Sequence, residues 1–132
     1  MKLLIRNIIC LTVAFIILSC KEKKATTTFI LVTPSEGVTL LVQDVPCIDI
    51  RSLDKRNYGF INSSLSIPEA NFYNDSIVTR LDKQKSILVY NEDGTDYEKI
   101  KLVLEEKQFV KVYLLLGGFK SWKHQGLDIT NN

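Results

Sequence analysis

Short aliphatic runs alternate with longer segments of helical spacing from residue 29 onward, and this alternation constrains the fold more than any other feature. Polar or turn residues bound each run, which is typical of strands buried on both faces of a sheet. The runs are 29–32, 47–50, 65–67, 87–90 and 112–115. Strands separated by helices predict an α/β fold, a three-layer sandwich with a mostly parallel five-stranded sheet flanked by helices.

Helix signals lie between the runs. Thr33 precedes Pro34, so a capping residue is followed by a first-turn proline, and aliphatic residues then recur on one face. The segment 96–107 has the same helical spacing. A short helix is expected after Gly117 and Gly118, which break the chain behind the last run.

The first 20 residues have the pattern of a secretory leader. Lys2 and Arg6 precede an apolar run over 8–18, which is about half of the roughly 20 residues that a membrane-spanning helix needs. The ending Ile-Leu-Ser-Cys at 17–20 resembles a bacterial lipobox, which implies that a lipid is attached to Cys20. An ordinary cleavable leader with a chance cysteine is the alternative.

These patterns divide the chain into a lipoprotein signal peptide (1–19), a lipidated tether (20–28) and a domain (29–132). The tether is charged and then threonine-rich, so it has little apolar surface to bury. We therefore expect a protein of the bacterial cell envelope, anchored to the membrane through its lipid and facing the periplasm or the outer membrane.

The charge balance and the absence of metal-ligand motifs limit the kinds of partner that we expect. Of 17 Lys and Arg residues, Lys2 and Arg6 lie in the leader, so 15 remain against 15 Asp and Glu, and no nucleic-acid partner is expected. No metal-ligand spacing occurs in the sequence, so we expect no bound metal. We also expect that the protein has no cofactor and is a monomer. His124, the only histidine, lies between charged and polar residues and is expected at the surface.

The three cysteines stand in different contexts. Cys10 lies in the leader, Cys20 ends it, and Cys47 lies in a predicted strand, so no disulfide framework can be built. Cys47 is expected to act as a small core residue.

A set of ordered motifs carries a family likeness. They are Cys-Ile-Asp-Ile-Arg at 47–51, Tyr-Gly-Phe-Ile-Asn-Ser-Ser at 58–64, Ile-Pro at 67–68, Ile-Leu-Val-Tyr at 87–90 and Leu-Gly-Gly-Phe-Lys-Ser-Trp at 116–122. Together they resemble a single domain of the rhodanese-like family over roughly residues 33 to 129. Phe60 and 62–64 depart from the family's turn at that place.

Five residues of these motifs have proposed physical roles. Asp49 can accept backbone hydrogen bonds at the end of a buried strand, and Arg51 can hold a neighbouring loop. Gly117 and Gly118 permit backbone angles and a close approach that a side chain would forbid. Trp122 is expected to pack in the core with its indole N–H at the margin.

The resemblance implies a nucleophilic cysteine at the start of the loop after the fourth strand, and Asn91 occupies that position. A carboxamide cannot form a persulfide, because it has no thiolate. We therefore expect no sulfurtransferase catalytic residue in the degenerate loop, which consists of Asn91, Glu92, Asp93, Gly94, Thr95 and Asp96. Its three acids are expected to repel anionic substrates.

Other residues of the chain offer weak replacements for the nucleophile. Cys47 lies in a strand rather than in the loop, and the Thr95 hydroxyl has no base beside it. The acids of the loop could instead bind a divalent cation, although a solvated turn is the simpler interpretation.

The family resemblance and Asn91 together favour a membrane-anchored, catalytically inactive module that binds an unknown protein or peptide partner at the envelope. The alternative is an enzyme of the same family with altered chemistry or substrate. A third hypothesis is a stable domain that acts as a spacer within an assembly.

Overall fold

The computed structural model describes residues 25–74 and 76–131. The predicted signal peptide and the lipid on Cys20 lie outside the described residues. Within the described ranges, no helix combines the length and the apolar character needed to cross a bilayer.

The described chain alternates strands and helices. The strands are β1 (Thr28–Val32), β2 (Cys47–Asp49), β3 (Phe60–Ile61), β4 (Leu65–Ser66), β5 (Ile87–Tyr90), β6 (Lys111–Leu115) and β7 (Ile129–Thr130). The helices are α1 (Pro34–Val42), α2 (Leu53–Arg56), α3 (Ser76–Arg80), α4 (Glu98–Glu106) and α5 (Gly118–His124), with a 3₁₀ turn at Glu69–Asn71.

Five strands form one sheet in the order β1-β6-β5-β2-β4, and every pairing in it is parallel. β3 and β7 form a separate antiparallel pair. The predicted α/β fold with a five-stranded parallel sheet flanked by helices is confirmed. The five predicted strands differ from the observed ones by one residue at most at either end.

Helices pack on both faces of the sheet, and alternate residues of each strand point to opposite faces, so β1, β2, β5 and β6 each contribute to two cores. In β5, Ile87 and Val89 join the core beneath α3 and α4, whereas Leu88 and Tyr90 join the core beneath α1 and α5. β5 is buried along its whole length, which explains its uninterrupted apolar sequence.

The predicted start of the first helix is also confirmed. The Thr33 hydroxyl accepts from the Glu36 backbone N–H at 3.3 Å, and the Glu36 carboxylate accepts from the Thr33 backbone N–H at 2.7 Å. Pro34 occupies the first turn, where its missing N–H costs nothing. The short helices α2 and α3 and the β3–β7 pair were not predicted from the sequence.

Candidate functional site

The carboxyl ends of β2, β5 and β6 lie at one edge of the parallel sheet. Asp49 is the last residue of β2, Asn91 directly follows β5, and Gly117 comes shortly after β6. Open α/β sheets bind their ligands at this edge. The motifs predicted from the sequence therefore meet here, and this edge is the candidate site.

The Asp49 carboxylate is the centre of a buried hydrogen-bond network. Its Oδ1 accepts from Arg51 N–H at 3.0 Å and from Arg51 Nε at 2.9 Å. Its Oδ2 accepts from Arg51 Nη2 at 2.8 Å, from Arg56 Nη1 at 3.1 Å and from the Tyr90 hydroxyl at 2.8 Å. Asp49 is 0% exposed, and a buried carboxylate is stable only when it is paired in this way.

Arg51 ties this network to two neighbouring segments. Its Nη2 donates to the Gly59 carbonyl at 2.8 Å, and its Nη1 donates to Glu92 Oε2 at 3.3 Å. The guanidinium also lies over the Phe119 ring, 3.9 Å from its centroid. The Arg51 side chain is only 1% exposed, so its role is to hold the neighbouring segments of the site in position.

Tyr90 and Arg56 belong to the network, although no motif in the sequence assigned them a role there. The Tyr90 hydroxyl accepts from Ile61 N–H at 3.2 Å and lies 3.0 Å from Ser64 Oγ. Arg56 donates to both oxygens of Ser64, at 2.9 Å and 2.8 Å. Burial raises the pKa of Tyr90, and the Asp49 carboxylate raises it further. The sequence signal for Tyr90 was its hydroxyl, which stands at the end of an otherwise aliphatic strand.

Asn91 folds its side chain back onto its own loop. Its Oδ1 accepts from Gly94 N–H at 2.7 Å, and its Nδ2 donates to the Thr95 carbonyl. The carboxamide therefore uses the Gly94 N–H, one of the backbone hydrogen-bond donors of the loop. In an anion-binding loop that donor would point at the ligand.

The acids of the loop face different partners. Glu92 pairs with Arg51, whereas Asp93 accepts from the Thr95 hydroxyl at 2.7 Å and from its N–H at 3.2 Å. These two hydrogen bonds lower the pKa of the Asp93 carboxyl. Asp96 is exposed and has a positive φ of 54°. Among the described residues, no cluster of three or more His, Cys, Asp or Glu could hold a metal ion.

Gly117 and Gly118 lie directly against this loop. A Cβ on Gly118 would lie 2.6 Å from the Asn91 carbonyl oxygen and 2.6 Å from Gly94 N. The backbone N–H of Phe119 donates to the same Asn91 carbonyl at 2.9 Å. The glycine pair thus allows the start of α5 to pack and hydrogen-bond against the loop.

A pocket of about 240 Å³ opens beside the loop. Its lining comes from α2 and the residues on either side of it, the loop and α5, and consists of Arg51, Lys55, Tyr58, Glu92, Phe119, Lys120 and Lys123. Four of these side chains are cationic and one is acidic. The repulsion of anions was predicted from the acids of the loop alone, and it did not include the lysines that other elements place beside Glu92, which is paired with Arg51.

The other candidate residues lie away from the loop. Cys47 is 2% exposed and pairs in register with Leu88, three residues before Asn91. Burial raises the pKa of the Cys47 thiol, and Asp49 adds to the effect. Trp122 packs in the core and its indole N–H donates to the Asp128 carbonyl at 2.9 Å, while His124 is exposed at the end of α5.

Comparisons with known proteins agree with this architecture. Residues 34–125 match the family model described as a rhodanese-like domain. Thiosulfate sulfurtransferases of Coxiella burnetii are 32% identical over 92 residues, which cover 68% of this chain and 84% of the relative.

Solved structures share the fold at lower identity. The Alr3790 protein from Anabaena has a TM-score of 0.66 at 22% identity, covering 76% of this chain and 82% of that one. A rhodanese-related protein from Thermoplasma volcanium has a TM-score of 0.64 at 16% identity, covering 78% and 99%.

Proposed function

The chain belongs to the rhodanese-like domain family, and from that premise we propose that it is a binding module that does not transfer sulfur. The observation that carries the proposal is Asn91. Covalent sulfur transfer requires a nucleophile that can form and release an S–S bond, and a carboxamide has no such atom. The relatives from Coxiella burnetii are named for thiosulfate sulfurtransferase activity, so the proposal separates this chain from them.

The contacts of Asn91 support this separation. Its Oδ1 holds the Gly94 N–H, and Asp93 holds the Thr95 N–H, so side chains of the loop already satisfy two of its backbone donors. An anionic substrate would have to displace both side chains before it could use those donors. The loop is therefore poorly suited to cradle the anion of a sulfur carrier.

Cys47 is a poor substitute for the missing nucleophile. It is buried, its raised pKa keeps the thiol protonated, and it lies roughly 10 Å along the sheet from Asn91, the length of three strand residues. Attack by Cys47 on a substrate in the loop would require the sheet to open.

The test is sulfur transfer from thiosulfate to cyanide, measured for the natural protein and for Asn91→Cys and Asn91→Ser. We expect no turnover above a heat-treated control for the natural protein and for Asn91→Ser. Asn91→Cys should gain a persulfide, detected as the mass of one added sulfur atom that cyanide removes. Turnover by the natural protein would show that the proposal is wrong.

A second comparison identifies the reacting thiol. Cys47→Ser alone and combined with Asn91→Cys separates the two positions. The persulfide of the double variant should equal that of Asn91→Cys alone, because the buried thiol takes no part. Loss of the persulfide in the double variant would instead assign the chemistry to Cys47 and favour an enzyme with altered chemistry.

We also propose that the module is anchored to the bacterial envelope through a lipid on Cys20, on the strength of the Ile-Leu-Ser-Cys ending of the apolar run. β1 enters the parallel sheet at the edge opposite to Asn91, so an anchor upstream of β1 leaves the candidate site uncovered. Metabolic labelling with a radioactive fatty acid tests this. Cys20→Ser should abolish the label and Cys10→Ser should retain it, whereas retained label in Cys20→Ser would contradict the anchor.

A further inference from the structure

The pocket beside the loop gathers three lysines. Lys55, Lys120 and Lys123 are exposed, and none of them forms an ion pair with a residue in the ranges 25–74 and 76–131. Glu92 is the one acid in the lining, and it pairs with Arg51. Lys120 also interacts with Asp93, whose carboxyl pKa it helps to lower, but one acid does not balance three lysines, so this arrangement suits a partner that carries negative charge.

Two separate elements build this cationic surface. Lys55 belongs to α2, whereas Lys120 and Lys123 lie three residues apart on one side of α5. Arg51 donates to the Gly59 carbonyl behind α2 and to Glu92 in the loop, and the Glu92 carbonyl accepts from the Lys120 N–H of α5 at 2.9 Å, so these contacts connect the two elements around the pocket. The lysines are therefore brought together by the fold, and their spacing in the sequence does not show it.

Aromatic surface accompanies the charge. Tyr58 lines the pocket and is 82% exposed, and Phe119 also lines it, although only 5% of that residue is exposed. Leu53 at the start of α2 and Leu116 directly after β6 are exposed at the same edge of the sheet. Exposed aromatic and aliphatic side chains next to charged ones are typical of a surface that binds another protein.

The same contacts argue against a compact inorganic anion as the ligand. Asn91 and Asp93 occupy the loop donors at Gly94 and Thr95, and the Arg51 guanidinium is buried and paired. What remains for a ligand is a set of flexible lysine amines, which attract charge but do not form a fixed cradle. Several spaced carboxylates fit these amines better than one small ion does.

We propose that this pocket binds an extended peptide segment of a partner protein in which two or more carboxylates flank an aromatic or aliphatic side chain. The carboxylates meet Lys55, Lys120 and Lys123, and the apolar side chain packs on Tyr58 and Phe119. The proposal rests on the proposed function as a binding module and names the chemistry of its partner.

The experiment is a selection of random heptapeptides on the full chain in mild detergent. Two triple variants serve as comparisons: Lys55→Gln, Lys120→Gln and Lys123→Gln in the pocket, and Lys83→Gln, Lys85→Gln and Lys99→Gln elsewhere as the charge-matched control. The natural protein and the control should enrich peptides with excess Asp and Glu around an aromatic or aliphatic residue. The pocket variant should lose this enrichment.

Fluorescence polarisation with the most enriched peptide then gives the size of the effect. We expect about tenfold weaker binding for the pocket variant, as the loss of three exposed ion pairs implies, and little change for the control. Higher salt should weaken binding to the natural protein and have less effect on the pocket variant. Equal binding by the two variants would overturn the proposal.

Other results separate this proposal from the proposed function. Enrichment of peptides without acids would overturn the acidic partner and leave a binding module in place. Sulfur transfer by the natural protein would remove the proposed function, whatever the peptides show. Displacement of the peptide by inorganic phosphate at equal concentration, or binding only to anionic lipid vesicles, would assign the pocket to a small anion or to a membrane and overturn the peptide proposal.

Discussion

The polar network around Asp49 and the loop that begins at Asn91 are neighbours at the carboxyl edge of the sheet, but they are held in opposite ways. The network joins residues far apart in the chain: Tyr90 to Asp49 across 41 positions and Ile61 to Tyr90 across 29. In the loop, the side chains of Asn91 and Asp93 bond within two to four positions, and Glu92 alone reaches a distant residue, Arg51. The network therefore holds the fold together, whereas the loop can change its chemistry at little cost to the fold.

Among the variants considered, Asp49→Asn should lower the stability of the protein most. It leaves the buried Arg51 and the partly buried Arg56 without their shared counter-charge, which should lower the free energy of unfolding by about 3–5 kcal/mol. Urea unfolding followed by circular dichroism measures the change. Asp54→Asn, on the exposed side of α2, is the matched control and should alter stability by less than about 0.5 kcal/mol. Equal effects would contradict a special role for the network.

Gly118→Ala tests the contact between the loop and α5. Both Gly118 and Gly126 have a positive φ, of 56° and 68°, but only a Cβ on Gly118 would meet backbone atoms, at 2.6 Å. Gly126→Ala should cost about 1–2 kcal/mol for the backbone angle alone. Gly118→Ala should cost more, about 2–4 kcal/mol, because the loop must also move. Thermal unfolding of the two variants measures the difference, and equal losses would show that the contact is unimportant.

Alkaline pH should weaken both regions through three buried acids. The pKa values of Cys47, Tyr90 and Tyr97 are all raised from their ordinary values of 9.0 for cysteine and 10.0 for tyrosine, chiefly by burial. Above those values the unfolded chain releases protons that the folded chain retains, so stability is fully present below about pH 9 and falls as the pH rises.

We expect a loss of about 1–2 kcal/mol between pH 7 and pH 10, measured by urea unfolding at each pH. Cys47→Ala should reduce this pH dependence, since cysteine has the lowest ordinary pKa of the three. A pH dependence unchanged by that substitution would mean that the thiol ionises as readily in the folded protein as in the unfolded chain.

Asn91→Ala should have the smallest effect on stability. Its hydrogen bonds lie within the loop and the side chain is partly exposed, so water can replace them at a cost of about 0.5–1.5 kcal/mol. The free energy of unfolding of Asn91→Ala should therefore stay far above that of Asp49→Asn. A loss as large as the one expected for Asp49→Asn would show that the loop, too, holds the fold together.

The sequence predicts those parts of the fold that depend on residues close together in the chain. The five strands of the main sheet were predicted because each is an aliphatic run bounded by turn residues, a signal contained within the segment itself. The helix at Leu53–Arg56 and the pairing of Phe60–Ile61 with Ile129–Thr130 were missed. They are short, and contacts between distant parts of the chain determine them.

The candidate site likewise contains residues that the sequence could assign and residues that it could not. Asp49 and Arg51 could be assigned from their positions at the end of a strand, and Asn91 was assigned from the resemblance to the rhodanese-like family. Arg56 and Tyr90 could not, because their roles depend on Ser64 and Ile61 being brought beside them. The cationic charge of the pocket was not predicted, because Lys55 and Lys120 lie 36 and 29 residues away from Asn91 in sequence.

The contacts of the loop also have an entropic consequence. Gly94 is packed against Gly117, and the Tyr97 hydroxyl donates to the Leu115 carbonyl at 2.9 Å, so both the middle and the end of the loop are tied to the β6–α5 connection. A loop that is already ordered loses little conformational freedom when a ligand arrives. Even a few exposed contacts can then yield measurable affinity, and most of the ordering cost is borne by the incoming peptide.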